Sequence, residues 1–71
     1  MQKFTMDILD NSLEDLRIYL GSKVLVEETE DIDKSIVCAV YDSKGIMLKR
    51  TSEIDNNDSI AGVVVNVIFE I

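Results

Sequence analysis

The apolar positions change period once along the chain. Over the first twenty residues, Met6, Leu9, Leu13, Leu16 and Leu20 recur at spacings of three and four, which lines them along one face of an α-helix. Thr5 stands where its hydroxyl would accept from an unpaired N–H of the first turn. Phe4, just before it, stands where a staple onto Leu9 would fix the entry of the chain. Asp7 and Asp10 fall near the positive end of the helix dipole, and Gly21 offers a left-handed termination. The pattern predicts a helix over residues 6–20, with Asp7, Asp10 and Glu14 on the face away from the leucines.

Past Gly21 the period becomes two. "KVLVEE" begins a strand near Lys23. "SIVCAVYD" alternates Ile36, Cys38 and Val40 with Val37, Ala39 and Tyr41, and "IMLKRTS" reads as a shorter, more polar strand. "DSKG" between these two supplies a turn with Gly45 free to take positive φ, so the pair is a hairpin. "EIDNNDSIA" is turn-rich, with Ile54 and Ile60 as apolar anchors. In the closing "GVVVNVIFEI", Val63, Val65, Val67, Phe69 and Ile71 line one face, while Val64 and Ile68 make the other apolar apart from Asn66 and Glu70. A strand apolar on both faces belongs inside a sheet. The expected fold is α+β: a single N-terminal helix packed on one face of a four-stranded, mostly antiparallel sheet, in the order αββββ, with residues 1–71 as one small domain.

Composition sharpens this. The chain has 71 residues and is 46% hydrophobic, with no proline, too apolar for a disordered segment and short enough to bury only about 60% of its unfolded surface. Cys38 is the sole cysteine and histidine is absent, so neither a disulfide framework nor the usual nitrogen and sulfur donors for zinc are at hand. Self-association stays open as a stabiliser. The N-terminus shows no export signal, no run approaches the roughly 20 apolar residues of a membrane span, and a lone cysteine fits a reducing compartment. These readings lead to a cytoplasmic protein.

Candidate chemistry is sparse. Without histidine, Ser–His, Cys–His and His–metal arrangements are excluded, and Cys38 in mid-strand reads as a core thiol. Asp31, Asp33, Ser35 and Asp42 fall at calcium-loop spacing, but Ile36 occupies the position that needs glycine, and the pattern fails. "DNND", Asp55–Asp58, is ordinary turn chemistry. Lys44, Lys49 and Arg50 form a small basic corner at the hairpin, where lysine also discourages edge-to-edge pairing. No enzyme activity, cofactor or metal is expected.

The net charge is −7, which repels nucleic-acid phosphates and anionic lipid. It concentrates in "EETEDID", where Glu27, Glu28, Glu30, Asp31 and Asp33 place five carboxylates in seven positions. A solvated loop that protects its neighbouring strands accounts for such a run. The alternative account is functional: the run, seconded by Asp7, Asp10 and Glu14, occupies a basic surface of a larger protein. In its sharpest form that is an inhibitor mimicking nucleic acid, such as a phage or mobile element would aim at a host nuclease. A second reading, from a different class, is a structural or accessory subunit that self-associates as a homodimer, because one helix covers only one side of a four-stranded sheet.

Overall fold

A computed structural model of the chain describes residues 2–33 and 35–69, with Phe69 described through its backbone alone. It is all-β. Five strands, β1 (Lys3–Asp7), β2 (Lys23–Glu27), β3 (Val37–Asp42), β4 (Gly45–Arg50) and β5 (Ser59–Phe69), form one antiparallel sheet in the order β1-β2-β5-β3-β4, curled into a half-barrel. The helical turns among the described residues are two three-residue 3-10 segments, Glu14–Leu16 and Thr51–Glu53. The expected α+β architecture is therefore wrong, and the error lies in the first twenty residues.

That stretch carries two competing patterns. Phe4, Met6 and Ile8 alternate with Lys3, Thr5 and Asp7, and this period of two prevails over residues 3–7. β1 pairs antiparallel with β2, setting Phe4 opposite Val26 and Met6 opposite Val24. Thr5 is thus a ladder residue opposite Leu25, not a helix cap. Beyond Asp7 the short polar side chains of "DNS" offer the backbone alternatives to a helix. Asp10 Oδ1 accepts from the Ser12 N–H (3.0 Å) and hydroxyl (2.7 Å), and Asn11 Oδ1 accepts from the Leu20 N–H (3.2 Å). An isolated helix of fifteen residues is marginal in any case.

Residues 8–22 instead form an irregular cap over one face of the sheet. Its buried anchors are Ile8, Leu13 and Ile18, whereas Leu9 is 83% exposed and Leu20 49%. Of the five positions assigned to the helix stripe, only Leu13 is fully buried; Met6 and Leu16 are partly buried against the core. Arg17 takes a left-handed conformation (φ 62°) to turn the cap. Gly21 also has positive φ (90°), but it leads into β2 rather than ending a helix.

β5 is the spine of the sheet. Its first half pairs with β3, from Tyr41 opposite Ser59 to Cys38 opposite Val63, and its second half pairs with β2, from Glu27 opposite Val63 to Lys23 opposite Phe69. The β1–β2 pair and the β3–β4 hairpin thus sit end to end along one long strand, on opposite edges. The hairpin turns through Ser43 and Lys44, with Gly45 at φ 129°. Register shifts leave Ala61, Val65 and Ile68 without a ladder partner, and each extra residue flips the side-chain alternation locally. Hence Ala61, Val64 and Val67, three apart, all reach the main core. The expected division of Val63, Val65 and Val67 from Val64 and Ile68 does not hold; Ile71 and the side chain of Phe69 lie outside the described residues, as does Glu70.

The main core gathers Ile8, Leu13 and Ile18 of the cap with Val24, Val26, Val37, Ala39 and Ala61 of the sheet, backed by Phe4, Met6, Leu48, Val64 and Val67. On the opposite face Cys38, Val40 and Val63 are also buried, beneath the connections that carry Ser35, Thr51 and Asp58. Both faces of the centre of the sheet are covered, which is why β3 reads as a continuous apolar run. No helix among the described residues is long and apolar enough to cross a membrane.

Candidate functional site

The acidic run becomes the connection from β2 to β3, and the topology forces it across β5. Local side chains shape its backbone. Thr29 Oγ1 accepts from the Asp31 N–H (3.1 Å), Asp31 Oδ1 from the Asp33 N–H (3.2 Å), and the Ile32 carbonyl from both the N–H (3.1 Å) and the hydroxyl (2.8 Å) of Ser35. The Glu28 N–H donates to the Gln2 carbonyl at 2.8 Å. Ile32 is half-buried and turns inward, while Glu28, Glu30, Asp31 and Asp33 are exposed and Glu27 half-buried. The run is therefore an ordered loop presenting carboxylates outward.

Three cations are engaged elsewhere. Lys23 lies 3.6 Å from Asp7, Lys49 2.9 Å from Asp58, and Arg50 pairs with Asp15 and Glu53. Among the described residues none of these ion pairs reaches Glu27–Asp33. The basic corner expected at Lys44, Lys49 and Arg50 thus contains two cations already committed to carboxylates. Their mutual effects are visible in proton affinity. Asp15 is held below the ordinary carboxylate range mainly by its hydrogen bonds from Arg50, and Asp58 by the Asp55 N–H and then Lys49.

The second group of acids does not join the first. Glu27 stands opposite Lys3 at one end of the β1–β2 ladder, and Asp7 stands opposite Lys23 at the other, about 13 Å away along five-residue strands. Asp7 is paired with Lys23. Asp10 is held low by the Ser12 hydroxyl and N–H, and Glu14 opens the 3-10 turn of the cap, exposed. The expected helical acidic face has no helix to carry it.

Cys38 is fully buried. Its thiol lies 3.3 Å from the Ser35 hydroxyl and 3.3 Å from the Thr51 hydroxyl, which are 3.1 Å from each other. This triangle contains no base and ties the acidic connection to the β4–β5 connection. In "DNND", Asp55 Oδ1 accepts from the Asn57 N–H (2.7 Å) and Asp58 Oδ2 from the Asp55 N–H (2.9 Å), so the stretch caps its own turn. No cluster of potential metal ligands is found among the described residues.

One feature has no counterpart in the expected fold. The ladder with β3 stops at Val63, so β5 from Val64 to Phe69 has β2 on one edge and no described strand on the other. Where β3 would continue, the chain turns away at Ile36, whose carbonyl accepts from the Thr51 N–H at 2.9 Å. This leaves a notch of about 230 Å³ lined by Leu16, Ile18, Ile36 and Val37 against Val64–Val67. Ile36 (68%) and Val65 (46%) are exposed in it, and Asp31 and Ser35 border Val63–Val65. The signal in the sequence was length: Ser59–Phe69 is eleven uncharged residues, twice the length of the strands beside it. Comparison of the chain with protein-family models, with curated proteins and with solved structures gives no match.

Proposed function

We propose that this is a non-enzymatic binding protein that uses the β2–β3 connection, Glu27, Glu28, Glu30, Asp31 and Asp33, to occupy a basic surface of a larger protein. The observation that carries the reading is the distribution of charge: among the described residues the ion pairs join Lys23 to Asp7, Lys49 to Asp58 and Arg50 to Asp15, while Glu28, Glu30, Asp31 and Asp33, on a loop shaped by its own turns, are exposed. Clustered like charge raises the free energy of the folded state, and complementary charge in a partner relieves it while accelerating encounter. The sharp form of the proposal is mimicry of nucleic acid at a basic groove. Asp7, Asp10 and Glu14 are secondary in it, because Asp7 is paired and Asp10 is tied into the cap.

The test is the block substitution of the five acids by Gln or Asn, since single exposed pairs contribute little. The parent, immobilised and exposed to extract of its source cell, retains a partner that elutes at moderate salt and is displaced by duplex DNA. The neutralised protein, equally folded by circular dichroism, loses that partner. Retention of the same partner with an unaltered salt dependence would make the run a solvated loop. Failure of DNA to compete would remove the mimicry and leave the basic partner.

A further inference from the structure

We infer that the open edge of β5, Val64–Phe69, accepts an extended segment of the partner as a sixth strand, collinear with β3 and antiparallel to β5, with its cationic side chains at its C-terminal end. The inference rests on the basic partner proposed above and specifies how that partner docks.

The backbone sets the first condition. β2 occupies one side of β5 over these residues and nothing described occupies the other, so main-chain donors and acceptors on that side face the notch. An added strand satisfies them, which is how sheet edges recruit peptides. Natural edge strands are ordinarily protected by charge or proline. Val64–Phe69 contains neither, in contrast to β4, which ends in Lys49 and Arg50.

The side chains set the second. Ile36, Val65, Leu16 and Ile18 give the notch apolar seats, and one side chain in two from an extended segment would enter them.

Charge selects the occupant. The acidic connection adjoins the edge at its Val64 end, with Asp31 beside Val63–Val65. A second copy would bring another acidic connection and another −7 charge to the same place; a basic segment brings compensation. Because β3 runs antiparallel to β5 and begins opposite Val63, a strand collinear with it ends near Val64. Its last residues therefore meet the carboxylates, and its first residues lie along Val67–Phe69.

The test uses the full chain and two labelled peptides of equal composition, acetyl-Val-Thr-Val-Thr-Lys-Val-Lys-amide and its reversed sequence, read by fluorescence anisotropy. The first is expected to bind at least tenfold more tightly than the second, since nonspecific attraction to a −7 protein cannot tell them apart. N-methylation of alternate amides in the tighter peptide, on the register that faces β5, is expected to cost tenfold or more by removing ladder hydrogen bonds. Val65→Lys, at an exposed position, is expected to weaken it similarly. Equal affinity for both peptides, preference for the reversed one, or indifference to N-methylation would overturn the inference. Concentration-dependent dimerisation of the free chain that Val65→Lys abolishes would also overturn it, by assigning the edge to a second copy. The two readings separate cleanly: if neutralising the acidic run abolishes binding while N-methylation does nothing, the acidic surface stands and strand addition fails. If N-methylation matters and neutralisation does not, the edge binds but the charge-based assignment of its occupant fails.

Discussion

Arg50, the last residue of β4, donates through Nη1 to Asp15 Oδ2 at 2.9 Å and through Nη2 to Asp15 Oδ1 and to the Ser12 carbonyl at 3.0 Å. Thirty-five positions separate the two side chains, and the pair fastens the irregular cap to the far edge of the sheet. Within residues 8–22 the backbone closes on itself, the Ile8 N–H donating to the Ser22 carbonyl and the Gly21 N–H to the Ile8 carbonyl, both at 2.9 Å. Three apolar anchors and this fork, whose planar geometry lysine cannot reproduce, fasten the cap to the sheet.

The fork makes the cap sensitive to acid. Arg50 depresses the proton affinity of Asp15, and a carboxyl depressed in the folded state contributes stability that is present above its unfolded pKa and lost as pH falls through the folded value. The expected result for Asp15→Asn is a lower urea midpoint at pH 7 and a smaller drop between pH 7 and pH 3 than the parent shows. Asp10 and Asp58, also held low, act in the same sense, so part of the acid sensitivity remains. Identical pH dependence in parent and variant would mean that the fork does not form in solution.

Leu9 and Leu13 distinguish the cap from a helix. A helix of residues 6–20 would bury both; in the cap Leu13 is 5% exposed and Leu9 83%. Leu13→Ala should cost about 2–5 kcal/mol, and Leu9→Ala should stay within about 0.5 kcal/mol of the parent. Chemical denaturation of the two variants decides the matter, and a matching loss from both would restore the helix.

The buried thiol gives an independent check on the centre of the sheet. Cys38 is closed in by Ser35 and Thr51, so a thiol reagent should modify it slowly in native buffer and rapidly in denaturant. Thr51→Gly opens one side of the triangle and should speed native labelling. Fast labelling of the parent would place β3 differently.

The strands after Gly21 were legible because each is a short apolar, largely β-branched run bounded by turn residues, and the hairpin at "DSKG" because glycine marks its turn. The cap was not legible for a physical reason: Met6, Leu9, Leu13, Leu16 and Leu20 fit a helical stripe, and only tertiary pairing of Phe4 and Met6 with β2 decides against it. Propensity is overridden where a strand partner is within reach. The bulges at Ala61, Val65 and Ile68 were equally hidden, since an extra residue leaves no compositional mark in a run of valines. The acidic loop was placed correctly between two strands, but its isolation from Asp7 and Asp10 depends on the pairing of β1, which the helical reading had removed.

Gly62 and Gly45 show opposite reasons for lacking a side chain, and substitution separates them. Gly45 has φ 129°, with nothing within 4 Å of the place a Cβ would take; Gly45→Ala carries only backbone strain, about 1–3 kcal/mol. Gly62 has an ordinary strand conformation, but a Cβ there would lie 2.8 Å from Val26 Cγ1 and closer still to the Glu27 carbonyl oxygen. This is the point where β2 ends, β3 begins and β5 bends past both, and a backbone carbonyl cannot move aside without shifting the ladder. Gly62→Ala should therefore cost about 3 kcal/mol or more, at the upper end of overpacking effects, and disturb the acidic connection that starts at Glu27. Measured by urea denaturation, the larger loss is expected at Gly62 although its φ is unexceptional. A smaller loss at Gly62 than at Gly45 would show that the two half-sheets are not drawn closely together on β5.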